Sequence, residues 1–260
     1  MRLKRVFARA ISEICSAGLA LRGPRHGLRV LLYHSIGSRL ANDFYGISIR
    51  PSLFERHIQF LLKFEGAKVA ALSEELITDS SALRIAVTFD DGYKDNLYQA
   101  APILVKFQIP FTVFVSTSFI GNGPSEYLTS NELKELAALP GAHIGSHGVS
   151  HMPLALCDNA TLSRELHDSR SRIEDVIGKA VNAIAYPHGS VDRRVRDAAE
   201  RAGYSLGFCS RFDINDASRD RLLLCRSEIV AADSERVLRQ KLSGAWDWLR
   251  WRHRDPVKHN

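Results

Sequence analysis

The chain has 260 residues, of which 45% are hydrophobic and 25% are charged, so it is long enough to bury one full-sized core. Its net charge is +6, but much of the basic excess lies at the two ends, in MRLKRVFAR and WLRWRHRDPVKH, which argues against a nucleic-acid partner and favours attraction to an anionic surface. The four cysteines lie far apart and exclude a disulfide-rich scaffold and a zinc knuckle.

The N-terminal segment predicts a short amphipathic helix. Arg9 and Glu13 interrupt its apolar stretch, so it does not resemble a signal peptide, and no run of about 20 apolar residues predicts a membrane span. We therefore predict a cytoplasmic protein. The helix either packs against the body of the protein or makes a peripheral contact with the inner membrane surface. Its apolar residues at helical spacing are Leu3, Phe7, Ala10, Ile11 and Ile14.

Between the two ends, short apolar runs alternate with helical patterns, which predicts an α/β fold in the form of a single parallel barrel. We expect the barrel to span residues 28–232, between an N-terminal extension (1–27) and a C-terminal helix or tail rich in tryptophan and arginine (233–260). In chain order, the patterns predict strands at 28–34, 84–89, 110–117, 142–147, 183–186 and 204–209, and helices at 51–64, 96–108, 130–139 (capped by Ser130), 159–178 (with Asn159 or Thr161 near its cap) and 191–203.

The strand at 84–89 ends in two carboxylates and a glycine, within RIAVTFDDGY, and SHGVSH follows at 146–151. The two pieces supply Asp90, Asp91, His147 and His151. Two imidazoles and one carboxylate leave open positions on a divalent ion, as a catalytic metal site requires, and the other carboxylate is then free for proton transfer. An Asp-Asp-Gly turn alone is typical of solvated carboxylates, and a lone His-x-x-x-His of an exposed pair. Their combination favours the metal site.

Three motifs in order resemble those of the polysaccharide deacetylases of carbohydrate esterase family 4, which share the NodB homology domain. They are TFDDGY at 88–93, HGVSH at 147–151 and AYPHG at 185–189, and the resemblance extends over roughly residues 28–230. It implies a distorted (β/α) barrel of the polysaccharide deacetylase type. Carried over by position, the metal ligands are Asp91, His147 and His151, and the catalytic base is Asp90. The expected cofactor is one divalent ion, Zn²⁺ first, with Co²⁺, Ni²⁺ and Fe²⁺ as alternatives.

The chemistry accounts for these residue types. A divalent ion polarises the acetamide carbonyl and lowers the pKa of water from 15.7 towards roughly 7, so that Asp90 takes up the proton during attack. The backbone amide of Tyr93 is the candidate donor to the oxyanion. From the third motif we expect Tyr186, Pro187 and His188 to bind substrate, with His188 in the pocket wall.

The group that protonates the leaving amine is not found where many family members have it, in a late Leu-x-His motif. The corresponding segment here is LLLCRSEI. We predict His34, at the end of the first strand, as the acid; this is similar to the branch that includes deacetylases of poly-β-1,6-N-acetylglucosamine, in which the motif order is permuted. A buried, hydrogen-bonded histidine is the alternative. Arg226 is predicted to orient Asp90, with a salt bridge to Glu228 or elsewhere as the alternative.

The resemblance implies a metal-dependent hydrolase that removes N-acetyl groups from N-acetylhexosamine residues of a bacterial polysaccharide or its precursor. Its partner is then an acetylated glycan. Three alternatives stay open: an O-deacetylase, a hydrolase of a non-sugar amide, and a catalytically silent glycan-binding or scaffold protein.

Overall fold

The computed structural model describes residues 2–20, 26–41, 43–73, 82–121 and 126–252. Its helices are α1 (Arg2–Ala20), α2 (Pro51–Leu62), α3 (Ala101–Lys106), α4 (Ser130–Ala138), α5 (Asn159–Ile177), α6 (Arg193–Arg201) and α7 (Glu235–Ser243). Its strands are β1 (Gly27–Tyr33), β2 (Ala67–Val69), β3 (Leu83–Phe89), β4 (Phe111–Val115), β5 (Ala142–Ser146), β6 (Ala183–Ala185), β7 (Leu206–Phe208) and β8 (Arg226–Glu228). A π-helical turn (Asn96–Ala100) precedes α3, and 3-10 turns occupy Leu154–Leu156, Pro187–Gly189 and Asp247–Arg252.

The strands form one parallel sheet in the order β7-β6-β5-β4-β3-β1-β8. The short strand β2 pairs with the first half of β3. The sheet curls until the segment that leads into β8 meets β7, where the Cys209 amide donates to Leu224 O at 2.8 Å and the Leu224 amide donates to Gly207 O at 2.8 Å. This confirms the predicted fold, a nearly closed and distorted (β/α) barrel with surrounding helices.

Alternate residues of the strands face opposite sides of the barrel wall. The inward side chains form a small apolar cluster that includes Val30, Ala86, Phe114 and Phe208. The outward side chains pack under the helices in a much larger core, which includes Leu31 and Val87 on the same strands. Because both faces are covered, the strands are nearly continuous apolar runs, as expected for a parallel sheet.

One predicted helix cap is wrong, and a second is now located. The cap of α4 is Thr129, whose hydroxyl accepts from the backbone at the third helical position, and not Ser130. The cap of α5, predicted to lie near Asn159 or Thr161, is Asp158. In each case the residue just before the helix has the extended backbone that lets its side chain reach back to the free N–H groups, and the predicted residues already lie inside the helix.

Helix α1 packs against α7 and the segment that follows it. Ser12 is fully buried and accepts a hydrogen bond from the Trp248 indole at 3.1 Å. Ile11 and Ile14, which belong to the predicted apolar face, are 38% and 76% exposed. Among the described side chains, the buried or partly buried ones include Ala8, Ser12, Cys15 and Leu19, which lie on a neighbouring face of α1. The side chains of Leu3 and Phe7, which also belong to the predicted apolar face, lie outside the described residues.

None of the helices that the structure describes combines the length and the apolar character that crossing a membrane requires. Peripheral contact of the basic ends with a membrane surface stays a prediction, as do the cytoplasmic location and the boundaries of the extension, the barrel and the tail.

Candidate metal centre

The chemically reactive side chains follow the carboxyl ends of neighbouring strands. His34 comes directly after β1, Asp90 and Asp91 after β3, and His147 after β5. The register pairs Tyr33 with Phe89, so His34 and Asp90 are the next residues on adjacent strands. Because all the strands are parallel, these positions meet at one edge of the barrel.

Three of the predicted residues form a cluster with the spacing of a metal site. One ligand atom each from Asp91, His147 and His151 can be chosen so that all lie within 4.8 Å of one another. Oδ1 of Asp91 lies 3.1 Å from Nε2 of His151 and 3.5 Å from Nε2 of His147. The two imidazole nitrogens and the carboxylate oxygen therefore converge on a common point.

The polar atoms of this cluster fit a bound cation. Oδ1 of Asp91 is buried, and within the described residues no donor approaches it with hydrogen-bond geometry. Nδ1 of His147 lies 2.7 Å from the carbonyl oxygen of Ala185 and must donate its proton there, so Nε2 carries the lone pair when the ring is neutral. Burial lowers the pKa of His147 more than the two aspartates raise it, which favours that neutral form. A buried carboxylate oxygen and a fixed imidazole lone pair are what a divalent ion such as Zn²⁺ binds.

Asp90 lies beside the cluster and is held by an arginine. Arg226 donates Nη1–H to Oδ1 at 2.6 Å and Nη2–H to Oδ2 at 2.7 Å, and its Nε–H binds the carbonyl oxygen of Cys209 at 3.1 Å. Burial raises the pKa of Asp90, but the positive charge of Arg226 and, to a smaller extent, His147 lower it by more, so the pKa lies below its ordinary value. The carboxylate stays ionised. This contact is the one predicted for Arg226, whereas the catalytic role of Asp90 stays a prediction.

His34 is close enough to both aspartates to influence their ionisation. Burial raises the pKa of Asp91, but the nearby His151, His34 and His147 imidazoles lower it below its ordinary value. The Nδ1 atom of His34 is buried, and no hydrogen-bond partner for it exists among the described residues. The alternative was a buried histidine whose ring is hydrogen-bonded within the strand-end turn, and the unpartnered Nδ1 of His34 does not fit it. The assignment of His34 as the acid stays a prediction.

A third carboxylate, Asp95, which was not predicted from the sequence, anchors the loop that follows His34. Oδ2 of Asp95 accepts from the hydroxyls of Ser35 and Ser38, each at 2.5 Å, and the side-chain amide of Asn96 donates to the carbonyl oxygen of His34 at 2.8 Å. The available signal was the polar pair Asp95-Asn96 at the start of an otherwise apolar helical pattern. Together these bonds tie the end of β1 to the turn after β3.

The backbone at the site is held in an uncommon conformation. Asp91, His151 and His188 have φ values of 74°, 58° and 56°, and among the described residues Gln108 is the only other non-glycine with positive φ. Gly92 also has a φ of 80°, and a Cβ there would lie 2.8 Å from Cγ1 of Val115. Such strained positions cluster at functional sites, because the surrounding structure must be arranged to hold them.

Tyr93 follows this turn and forms an isolated antiparallel bridge with Tyr127. The hydrogen bonds beside the bridge are those of the Lys94 amide to Glu126 O and the Leu128 amide to Gly92 O. The pair Tyr93–Tyr127 is thus a non-hydrogen-bonded one, so this bridge does not use the Tyr93 amide. Its role as the oxyanion donor stays a prediction.

The third motif contributes differently along its length. Tyr186 is fully buried and its hydroxyl donates to Leu222 O at 2.8 Å, so in this structure its side chain supports the barrel and presents no surface to a ligand. Pro187 is also buried. His188 is exposed, its ring centroid lies 4.6 Å from that of His151, and its Nε2 is 3.2 Å from the carbonyl oxygen of His151. Of the three residues predicted to bind substrate, His188 is thus the one with an accessible side chain.

Comparison with known proteins gives a consistent result. A family model described as polysaccharide deacetylase matches residues 78–207. YxkH of Bacillus subtilis (strain 168), whose naming as a polysaccharide deacetylase is provisional, is 31% identical over 200 residues, which cover 75% of this chain and 67% of that protein. The poly-β-1,6-N-acetyl-D-glucosamine N-deacetylase of Staphylococcus aureus (strain N315) is 27% identical over 183 residues, 65% of this chain and 63% of the enzyme, so this chain spans less than two thirds of it.

Among solved structures, the Streptococcus pyogenes deacetylase PplD in complex with acetate is similar, with a TM-score of 0.72 and 26% sequence identity. The match covers 84% of this chain and 99% of that chain. The barrel and the strand-end positions described above therefore belong to a fold with known deacetylase members.

Proposed function

Since this chain belongs to the polysaccharide deacetylase family, we propose that it is a metal-dependent hydrolase that removes N-acetyl groups from N-acetylhexosamine residues of a bacterial polysaccharide or its precursor. The observation that carries the proposal is the separation of the two adjacent carboxylates. Asp91 joins two imidazoles in a site suited to a divalent ion, while Asp90 is bound by Arg226 outside that set.

The candidate ligands Asp91, His147 and His151 would hold the ion, which when bound supplies polarisation of the acetyl carbonyl and acidification of water. Asp90 accepts the proton of the attacking water, and its lowered pKa keeps the carboxylate ionised before the reaction. His34, at the end of the adjacent strand, donates a proton to the leaving amine. The Tyr93 backbone N–H donates to the oxyanion.

Arg226 has a separate task in this scheme. Two parallel charge-assisted hydrogen bonds fix the plane of the Asp90 carboxylate, which a single bond would leave free to rotate. A base whose orientation is fixed before the substrate arrives needs less reorganisation during proton transfer.

The proposed substrate class draws on the similar staphylococcal enzyme, which is named for the de-N-acetylation of poly-β-1,6-N-acetyl-D-glucosamine. We propose an N-acetylated amino sugar in a glycan for this chain as well. An O-acetylated glycan is the second candidate, because a site of this kind is suited to the tetrahedral transition state that both reactions share.

The first experiment measures the metal content of the purified protein beside Asp91→Ala and His147→Ala. We expect about one ion per chain in the wild type and its loss in both variants. His143→Ala is the matched control, because His143 lies on β5 but is exposed and away from the cluster, so it should retain the ion.

The second experiment measures acetate release from β-1,6-linked N-acetylglucosamine oligomers and from an O-acetylated glycan, with and without a chelator. Release from the N-acetylated oligomers that stops on chelation and returns with Zn²⁺ supports the proposal. Release from the O-acetylated glycan alone selects the second candidate. A protein that binds metal and glycan but releases no acetate from either belongs with the catalytically silent alternative.

A further inference from the structure

The two candidate histidine ligands are joined by a three-residue turn, Gly148-Val149-Ser150, that is held by a carboxylate from a helix. Glu165 lies on α5 and is 6% exposed. Its Oε2 accepts from the backbone amides of Val149 at 2.7 Å and Ser150 at 3.1 Å, and its Oε1 accepts from the Ser150 hydroxyl at 2.6 Å. All three donors lie between His147 and His151.

Three further backbone groups of the turn are also hydrogen-bonded. The Gly148 amide donates to the hydroxyl of Ser146 at 3.1 Å. The carbonyl oxygens of Gly148 and Val149 accept from the amides of Thr117 and Ser118 at 3.1 and 2.9 Å. The segment after β4 thus binds the carbonyl side of the turn, and Glu165 binds two of its three amides. Without Glu165, these two amides lose their hydrogen-bond acceptor next to His147, the buried candidate metal ligand.

The turn needs such a partner because its conformation is unfavourable for an ordinary chain. Gly148 has a φ of 75° and His151 a φ of 58°, so the backbone enters the left-handed region twice within four residues. A Cβ at Gly148 would lie 2.9 Å from Oε2 of Glu165, so the glycine makes room for the carboxylate. The result brings the rings of His147 and His151 to a centroid separation of 4.9 Å, with both Nε2 atoms near Oδ1 of Asp91.

We propose that Glu165 is a positioning residue for the metal centre: it holds the turn that sets His151 relative to His147, and thereby raises the affinity of the site for a divalent ion. The inference rests on the proposed function, because it concerns the same site. Glu165 acts through the backbone of the turn, which distinguishes it from the ligands. Groups that hydrogen-bond a metal ligand directly typically change metal affinity by about 10- to 100-fold when they are removed, and for Glu165, which acts through the backbone, we expect the lower end of that range.

The test compares the Zn²⁺ affinity of the full-length wild type, Glu165→Ala, Glu165→Gln and Ser150→Ala, by competition with a chromophoric chelator. We expect Glu165→Ala to raise the Zn²⁺ dissociation constant about 10-fold or more. Glu165→Gln keeps a carbonyl oxygen for the backbone amides and should give a smaller rise, and Ser150→Ala, which removes only the hydroxyl bond, the smallest. Asp168→Ala is the matched control, because Asp168 is an exposed carboxylate one turn further along α5.

Two further readouts separate positioning from a purely structural role. The visible absorption bands of the Co²⁺-substituted protein report the coordination geometry, and they should change in Glu165→Ala but not in Asp168→Ala. The thermal unfolding midpoint of the metal-free protein reports the contribution of Glu165 to stability alone. If Glu165→Ala does not fold, the same comparisons are made with Glu165→Gln.

A lower unfolding midpoint with unchanged Zn²⁺ affinity and unchanged Co²⁺ spectra would overturn the inference while leaving the proposed function intact. A wild type that binds no Zn²⁺ would overturn both. Weaker Zn²⁺ binding together with an altered Co²⁺ spectrum in the Glu165 variants supports the inference, whether or not the natural glycan has been identified.

Discussion

Within the part of the chain that the structure describes, two buried pairs of an arginine and an aspartate lie in different surroundings. Arg226 holds Asp90 at the carboxyl edge of the barrel, with two bonds of 2.6 and 2.7 Å. Arg29, on β1, holds Asp247 of the C-terminal 3-10 turn, with two bonds of 2.6 and 3.0 Å. Both guanidinium groups have no exposed surface.

The neighbours of the two carboxylates differ. Asp90 lies 3.8 Å from Nε2 of His147 and next to the candidate metal ligands. Asp247 lies between Trp246 and Trp248, in the segment that packs with α1 and α7. The same pair of groups thus holds the predicted catalytic base in one place and the 3-10 turn after α7 in the other. Burial and good geometry are common to both pairs, so the prediction of a catalytic role rests on the groups around Asp90.

The largest expected effect is on turnover, in Asp90→Asn. Loss of the general base should lower kcat for acetate release by about 10²- to 10⁴-fold, because that is the usual contribution of a positioned base. Bound metal should be retained, since Asp90 lies outside the candidate ligand set. Asp247→Asn provides the comparison and should leave kcat of the folded protein unchanged. Equal losses of kcat in the two variants would contradict the distinction between the pairs.

The next effect is on stability, in Arg29→Met. Removing Arg29 takes both guanidinium hydrogen bonds from the buried Asp247 carboxylate, and breaking a buried ion pair in this way typically costs about 3–5 kcal/mol in the free energy of unfolding. Denaturant unfolding measures it. The double variant Arg29→Met/Asp247→Leu should recover much of the loss, because an apolar pair of similar volume replaces a buried ion pair at little cost. No recovery in the double variant would mean that the pair does more than anchor the C-terminal segment.

A smaller effect is expected for Arg226→Lys, which keeps the charge but not the two-pronged contact. We expect kcat to fall about tenfold, equivalent to roughly 1.4 kcal/mol, the value of one charge-assisted hydrogen bond. KM should be unchanged, because Arg226 is buried behind Asp90. Arg29→Lys is the matched variant, and it should lose stability but retain kcat. A change in KM alone would argue that Arg226 serves substrate binding instead.

The smallest effect is expected at the contact of α1 with the C-terminal segment. Ser12→Ala removes the acceptor of the Trp248 indole and should cost about 1 kcal/mol in the free energy of unfolding. Activity should not change. Ser16→Ala, one turn further along α1, is the control. Loss of kcat in Ser12→Ala, measured at a temperature where it is fully folded, would show that the terminal region influences the barrel edge.

The sequence allowed most of the architecture to be predicted. The alternation of apolar runs and helical patterns predicted the parallel barrel, and each strand from 28–34 to 204–209 appears in the structure within a few residues of its predicted position. These signals are local, because a strand buried on both faces must be apolar throughout and a helix must repeat with its own period. The two motifs TFDDGY and HGVSH predicted a site of one carboxylate and two imidazoles, and the family resemblance implied that the carboxylate is Asp91.

The contacts that organise the site depend on residues far apart in the chain. Arg226 meets Asp90 across 136 positions, and the sequence left open whether it pairs with Glu228 instead. In the sequence, Asp95 and Glu165 cannot be distinguished from exposed acidic residues, because the loops they bind come close to them only in the folded protein. The helical spacing of α1 predicted an apolar face but did not indicate that Ser12 is buried, because the partner that covers Ser12 comes from a distant segment of the chain.

The sequence by itself therefore determined the elements, which follow from periodicity, and the two short motifs that supply the candidate ligands, whose resemblance to those of a known family implied the ligand set. Only the tertiary structure decided which carboxylate is bound by arginine, which residues hold the loops after β1 and β5, and which face of α1 is covered. The physical reason is that a buried hydrogen bond or ion pair forms only where closure of the barrel excludes water and brings both partners to the same place.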